Sequence, residues 1–302
     1  MTVVGVIAHE RKSVGGGLPE LRTRLAEQGF NDPFWRQVSK SKQSPAAVRE
    51  LIDEGVTTLF TWGGDGTVQR TIDAVVAAGA GDRVDLAVVP AGTANLFAHN
   101  LSLPIGDVAA AVDVGLNGHR SCLDVGKVNG EHFAVMAGIG FDAAMIKGAD
   151  RSLKDRVGRL AYLWTGAKSM TTETTKVVVE VDGAEWFRGK AGCVMCGNVG
   201  TLMGGVTAFP NASPFDGRLD IAVVQAGSTS QWTRVLARLA AGDSVNSPLI
   251  AMTAGRKLVV RLDEALPYEL DGGARGTTHR FKARVVPGAI TVRTPVDALR
   301  TP

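Results

Sequence analysis

Apolar positions in the first 125 residues change period again and again. Val3 to Ala8 is an apolar run of strand length, and Leu18, Leu21 and Leu25 then recur at helical spacing with Gly29 as a stop. Ser44-Pro45 reads as an N-cap followed by Pro at the first helical position. Val48, Leu51 and Ile52 supply that helix's apolar stripe and Gly55 its end. Thr57 to Trp62 is β-branched and aromatic, so strand. Val68, Ile72, Val75 and Val76 mark the next helix face, and Leu86 to Val89 another buried strand. Such alternation predicts a parallel sheet covered by helices on both faces.

After about residue 125 the period shortens. Lys176 to Gly183 alternates and ends in Asp-Gly, a hairpin signal. Lys190 to Cys196, Leu219 to Gln225, Lys257 to Leu262, His279 to Val286 and Ala289 to Arg293 are further strand-like runs, which together predict an antiparallel β-sandwich. Helical patterns interrupt them from Leu153 to about Met170 and from Ser230 to Ala241. The expected organisation is α/β plus all-β: a Rossmann-like α/β nucleotide domain over residues 1–125 and a β-sandwich domain over 126–289. No internal repeat or low-complexity linker separates them, so the boundary rests on the change of period.

Composition narrows the classes. The chain has 302 residues, 45% hydrophobic and 21% charged, which suits a globular protein of two domains. A net charge of +3 gives no clustered basic signature of a nucleic-acid binder. Cys122, Cys193 and Cys196 form no disulfide framework. The Cys193-Val-Met-Cys196 spacing lies in an apolar strand-like run and reads as core packing. The N-terminus lacks the basic region and long apolar stretch of a signal peptide. No run approaches the ~20 apolar residues of a membrane helix.

Two loops carry chemistry. Gly63-Gly64-Asp65-Gly66-Thr67 joins a strand to a helix, where α/β sheets bind ligands. Its glycines let the backbone approach an anion, and the helix-start N–H groups point at phosphate oxygens. Asp65 beside a polyphosphate needs a cation or a proton to handle, which suggests a magnesium-linked or general-base role. A lone turn of this kind is as often structural. The second loop, Pro90-Ala91-Gly92-Thr93-Ala94-Asn95, shifts the balance, because two adjacent strand-to-helix turns can face one crevice. Thr93 and Asn95 offer a hydroxyl and an amide suited to phosphate or ribose. Neither loop is G-x-G-x-x-G or G-x-x-x-x-G-K-[ST], so dinucleotide hydride chemistry and ordinary P-loop hydrolysis lose weight.

In this order the motifs resemble the diacylglycerol kinase catalytic domain family, which includes bacterial lipid kinases and is related to sphingosine kinases and NAD kinases. The resemblance extends through Gly138-Ile-Gly-Phe-Asp-Ala143, the Leu153 to Leu163 helix pattern, Gly197-Asn198, Gly204-Gly205, Pro210, Asp216-Gly217-Arg218-Leu219 and Asp271-Gly272. It implies an ATP-dependent lipid kinase with ATP and lipid meeting between the two domains, and residues 290–302 returning to the first. The acceptor it implies is a diacylglycerol hydroxyl. Gly63, Gly64, Gly66, Thr67, Thr93, Asn95 and Ser39 would bind the nucleotide, Asp65 and Asp271 would be catalytic, and Asp216 with the Leu219 carbonyl would hold Mg²⁺. The implied setting is cytoplasmic and peripheral to a membrane, with no transmembrane segment and no nucleic-acid partner; a homodimer is an admissible assembly.

Departures from the family pattern keep alternatives open. Ala8 to Ser13 and Gly15-Gly16-Gly17 stand where Asn-Pro-x-Ser-Gly is usual, and His9, Lys12 or Ser13 could reach phosphate there. Gln69-Arg70 replaces Asn-Glu, and Phe215 replaces an acidic neighbour of Asp216. Asp271-Gly272-Gly273 lacks the glutamate that serves as general base in the bacterial diacylglycerol kinases, and glycine accepts no proton. The rivals are a kinase of a soluble hydroxyl acceptor, NAD-kinase-like, and a nucleotide-binding regulatory protein with impaired turnover. Leu160, Leu163 and Trp164 are expected to pack or to line an acyl channel, and Trp186 and Phe187 to pack or to touch a membrane.

Overall fold

The computed structural model describes residues 2–140, 174–202, 206–243 and 246–296. The expected Leu153 to Met170 helix, Leu160, Leu163 and Trp164 within it, Phe141 to Ala143 of the Gly138 signature, and Gly204-Gly205 lie outside the described residues. The chain divides into two compact units, Met1–Val125 with Pro287–Pro302, and Gly126–Val286.

The first unit begins β1 (Val4–His9), α1 (Gly17–Glu27), β2 (Phe34–Val38), a 3₁₀ turn (Ser41–Gln43), α2 (Ser44–Asp53), β3 (Thr58–Gly63), α3 (Asp65–Ala77) and β4 (Asp85–Pro90). α4 (Leu96–Asn100), α5 (Val108–Asn117) and the start of β5 (His119–Val128) follow. The 3₁₀ turn corrects one detail: Ser44 begins α2 rather than capping it, and the residue before the helix is Gln43. β1, β3 and β4 are buried at every position, as central parallel strands require, whereas β2 is an edge strand with only Val38 buried. The parallel order is β4-β3-β1-β2. The chain leaves β1 towards β2 and leaves β3 in the opposite sense, so the direction of winding reverses between β1 and β3. Accordingly α1 packs with α5 and α2 with α3. A crevice at the carboxyl ends of strands that diverge in this way is where such sheets take ligands.

The second unit contains β6 (Glu131–Phe133), β7 (Met136–Ile139), β8 (Thr175–Val181), β9 (Ala184–Ala191), β10 (Cys193–Gly197), β11 (Thr201–Leu202), β12 (Val206–Thr207), β13 (Leu219–Val224), α6 (Thr229–Ala240), β14 (Ile250–Gly255), β15 (Lys257–Leu270) and most of β16 (Gly273–Thr294). It is β-rich and antiparallel, as the shortened period suggested. β8 and β9 turn at Asp182-Gly183, both at positive φ, which is the geometry the Asp-Gly signal demands. β15 pairs with β8 through Leu258 to Leu262 and with β7 through Tyr268 to Leu270. The register shift between Arg261 and Leu266 lets one strand serve both pairings. Val177, Val179, Leu258, Val260 and Phe281 thereby share a core with Ile139, Val194 and Ile221, and Trp186 and Phe187 pack against it. Cys196 belongs to this core, while Cys193 lies in a second one with Trp232 of α6. Both thiols are free, and burial pushes both well above the ordinary thiol range.

Near its end β16 runs parallel to β4, with Thr291 opposite Asp85 and Val292 opposite Leu86. Asp85 is buried and accepts from Arg120 Nε at 2.9 Å and from Arg293 Nε at 2.9 Å, so one carboxylate ties this last stretch to the first unit's sheet.

Candidate functional site

β3 and β4 end level with each other, Gly63 opposite Pro90, and Ala91 N–H donates to the Gly63 carbonyl at 2.8 Å. Both chemical loops therefore start side by side. They remain together: a Cβ built on Gly64 would meet the Gly92 Cα at 3.0 Å, and one built on Gly92 would meet the Gly64 Cα at 2.5 Å. Only glycine allows this approach of two backbones. Gly63 is hemmed in differently, because a Cβ there would meet the Thr67 Cβ at 2.5 Å. At Gly66 the space is open, with Ser41 Oγ nearest at 3.7 Å.

Side chains then lock the pair. Asp65 Oδ1 accepts from Leu96 N–H at 2.5 Å, so the acid of the first loop caps the helix opened by the second. Burial raises the pKa of Asp65 above the ordinary aspartate value, against the opposing effect of the amides of Leu96, Phe97 and Asn95. Asn95 sits in the left-handed region at φ 48°, which asparagine tolerates better than most residues. Its amide accepts from Gly92 N–H at 2.9 Å and donates to the Gly92 carbonyl at 3.1 Å, so it braces its own loop. Thr93, by contrast, is exposed.

Thr67 is buried, with its hydroxyl 3.1 Å from Ser41 Oγ. Ser41 thus brings the segment after β2 against the start of α3, a link the motifs did not reveal. Ser39 stands just beyond β2, where Gln43 Oε1 accepts from Ser39 N–H, Ser39 Oγ and Lys40 N–H at 3.0 to 3.1 Å. After β1, Trp62 Nε1 donates to the Lys12 carbonyl at 2.9 Å and holds that loop near the end of β3. His9, buried there, accepts from Arg11 N–H, and burial followed by the charge of Lys12 lowers its pKa. Gly63, Gly64, Asp65, Gly66, Thr67, Thr93, Asn95 and Ser39 all lie at the carboxyl ends of the first unit's parallel strands.

Asp271 belongs to the second unit. It is buried at positive φ, its Oδ2 accepting from Ala134 N–H at 2.8 Å and its Oδ1 from Val135 and Met136 N–H at 2.9 Å each. The carboxylate thus fixes the backbone entering β7. At Gly273, where the family pattern has glutamate, a Cβ would meet Arg275 Nη1 at 2.7 Å, the far end of a side chain that donates to the Gly273 carbonyl and pairs with Glu131. Two residues before Asp271, near the end of β15, Glu269 is 5% exposed and accepts from Gly272 N–H at 2.7 Å. Burial pushes its pKa up to about 8. Glu269 lies outside the motifs, and its only signal in the sequence is an acid two residues before Asp271 at the end of an apolar-flanked run.

At the expected metal position Asp216 is exposed and accepts from Arg218 N–H at 2.9 Å, while Leu219 opens β13 opposite Gly255. Asp220 contributes a second carboxylate nearby, its pKa raised by burial and then by Asp216. Among the described residues no group of three or more His, Cys, Asp and Glu side chains gathers as a metal site. No described helix is long and apolar enough to cross a membrane.

Residues 11–128 match the family described as the diacylglycerol kinase catalytic domain, and residues 134–294 the YegS C-terminal NAD kinase beta sandwich-like domain. The diacylglycerol kinase of Bacillus subtilis is 29% identical over 228 residues, 75% of this chain and 73% of that protein. The Pseudomonas fluorescens protein named "Probable lipid kinase YegS-like" is 32% identical over 253 residues, 83% of this chain and 82% of that protein. The crystal structure of a diacylglycerol kinase from Bacillus anthracis has the same fold, with a TM-score of 0.74 at 22% identity over 98% of each chain.

Proposed function

This chain belongs to the diacylglycerol kinase catalytic domain family of lipid kinases, and on that premise we propose that it transfers the γ-phosphoryl group of ATP to the hydroxyl of diacylglycerol at a membrane surface. The observation that carries the reading is the backbone contact of Gly64 with Gly92, which sets two strand-to-helix loops against one another at the carboxyl ends of β3 and β4. Phosphoryl transfer asks for positioning and charge stabilisation more than for covalent chemistry by the protein. Gly64, Gly66 and the first amides of α3 cradle the phosphates, with Thr93 and Ser39 completing the nucleotide site. Thr67 and Asn95 shape that cradle from within, through Ser41 and Gly92.

Magnesium fits this set, because Asp65 supplies the hard oxygen donor that the ion takes and α3 supplies amides for the phosphates it accompanies. Bound there, the ion would neutralise charge on the transferring group. Asp65 has two parts in this reading: Oδ1 keeps the second loop in place, and its charge serves the metal or the proton. Asp271 positions the start of β7. Asp216 and the Leu219 carbonyl offer oxygens for a second, structural Mg²⁺ ion.

The test is transfer of labelled phosphate from ATP with magnesium to diacylglycerol, sphingosine or NAD. Label in phosphatidic acid is the expected product. Label confined to NAD would replace the lipid acceptor by a soluble one, and nucleotide binding without transfer to any of the three would sink the proposal.

A further inference from the structure

The solvent face of β9, β8, β15 and β16 carries a lattice of positive charge that the proposed kinase site does not use. Along β16, Phe281, Ala283 and Val285 point into the core while Arg280, Lys282 and Arg284 stand exposed between them. β15 repeats the pattern, with Leu258, Val260 and Leu262 buried and Lys257 and Arg261 exposed. Register sets the exposed residues side by side. Lys257 pairs with Arg284, Val259 with Lys282, Arg261 with Arg280, and Lys176 of β8 with Lys190 of β9. Strands ~4.8 Å apart, with alternate residues ~7 Å apart along each, make this a two-dimensional grid.

Several acidic groups on the face are already matched, and the cations outnumber the rest. Glu180 pairs with Arg261 and Glu185 with Arg188, while Asp182 accepts from the backbone N–H groups of Arg256 and Lys257. Asp263 and Glu264 come after Arg261, where the β15–β16 register shifts. Lys176, Lys190, Lys257, Arg280, Lys282 and Arg284 make no ion pair among the described residues. Six unpaired cations on one strand face repel one another, and nothing in the core requires them.

We propose that this face docks the protein on an anionic lipid bilayer. The argument is charge complementarity with geometry. A broad pleated surface studded with cations matches a layer of phosphate head groups. It has neither the helix that enters a duplex groove nor the outward aromatics on which bases stack. The inference rests on the lipid-kinase reading, since an enzyme that takes its acceptor from a bilayer gains by residing there.

Flotation with vesicles of phosphatidylcholine alone, or of phosphatidylcholine containing phosphatidylglycerol, tests it at ~0.1 M salt, where the Debye length is about 10 Å. The expected result is partitioning to the mixed vesicles only, lost at high salt. The triple variant Lys257→Gln/Lys282→Gln/Arg284→Gln is expected to lower the partition coefficient by roughly 100-fold, about fivefold per charge. The charge-preserving variant Lys257→Arg/Lys282→Arg/Arg284→Lys is expected to retain binding, which separates charge from folding. Equal partitioning of the neutral triple variant and the wild type would overturn the proposal. So would failure of the wild type to bind mixed vesicles while it binds duplex DNA through these residues. Transfer of phosphate to a short-chain, water-soluble diacylglycerol without vesicles reports on the catalytic reading alone, so the two can fail separately.

Discussion

Gly92 and Gly64 touch through their backbones, and a Cβ on Gly92 would stand 2.5 Å from the Gly64 Cα and 2.6 Å from Asn95 Oδ1. Neither neighbour is the free end of a flexible side chain. Gly92→Ala is therefore expected to push the two loops apart and to weaken ATP binding by roughly tenfold or more, since steric insertion at a packed contact costs about 1–3 kcal/mol. Titration calorimetry with ATP and magnesium checks this. Gly276→Ala has nothing within 4 Å of its new Cβ and is expected to bind as the wild type does.

Asp65 can be divided into its two parts by the choice of substitution. Asparagine keeps an oxygen for Leu96 N–H, while alanine leaves that amide without its acceptor. Asp65→Ala is expected to lower stability by about 1–2 kcal/mol, Asp65→Asn by much less. Both are expected to lose roughly 10² or more in turnover. Denaturant melts and a transfer assay read the two effects, and full turnover in Asp65→Asn would confine this residue to holding the loop.

Glu269 makes a prediction about pH. Its folded pKa of about 8 lies above the ordinary glutamate value of 4.5, because burial and the charge of Asp271 oppose ionisation more than Gly272 N–H and Arg275 favour it. The folded state therefore holds a proton that the unfolded state releases near pH 4.5. The stability this contributes is complete below pH 4.5 and is lost as pH rises towards about 8. Stability is expected to fall by a few kcal/mol over that window in the wild type. In Glu269→Gln, which carries no titrating proton, urea melts from pH 5 to 8 are expected to show a flatter profile.

Asp85 tests the return of the chain. Arg120 and Arg293 both converge on its buried carboxylate. Asp85→Asn leaves two guanidinium groups without their counter-charge and is expected to cost roughly 3 kcal/mol. Hydrogen exchange should then speed at Thr291 and Val292, the residues that pair with β4. Global destabilisation with unchanged relative protection there would separate the pair from the attachment of the strand.

Much of the framework was legible before any coordinates. Continuous apolar runs at Val3 to Ala8, Thr57 to Trp62 and Leu86 to Val89 became three strands buried at every residue, since only a central parallel strand buries both faces. The Asp182-Gly183 turn was equally readable, because few dipeptides tolerate two positive φ angles in succession. Other details were not. Lys190 to Cys196 reads as one strand but is broken by a bend at Gly192 into β9 and β10, which pair with different neighbours, while the separate runs from His279 and from Ala289 belong to the single β16. Periodicity registers which face a residue takes, and it has no term for where a strand bends.

The sequence by itself determined the alternation of elements, the two glycine loops and the family they belong to, because those depend on local backbone freedom and on the spacing of apolar side chains. Tertiary structure alone decided what each polar group does. Asp65 reaches Leu96, Ser41 reaches Thr67 and Asp271 reaches Ala134 across 31, 26 and 137 residues. Glu269 acquired its high pKa only when the strands around it excluded water. A hydrogen bond or a desolvated charge depends on what stands beside a group in space, and no order of residues along a chain states that until the chain has folded.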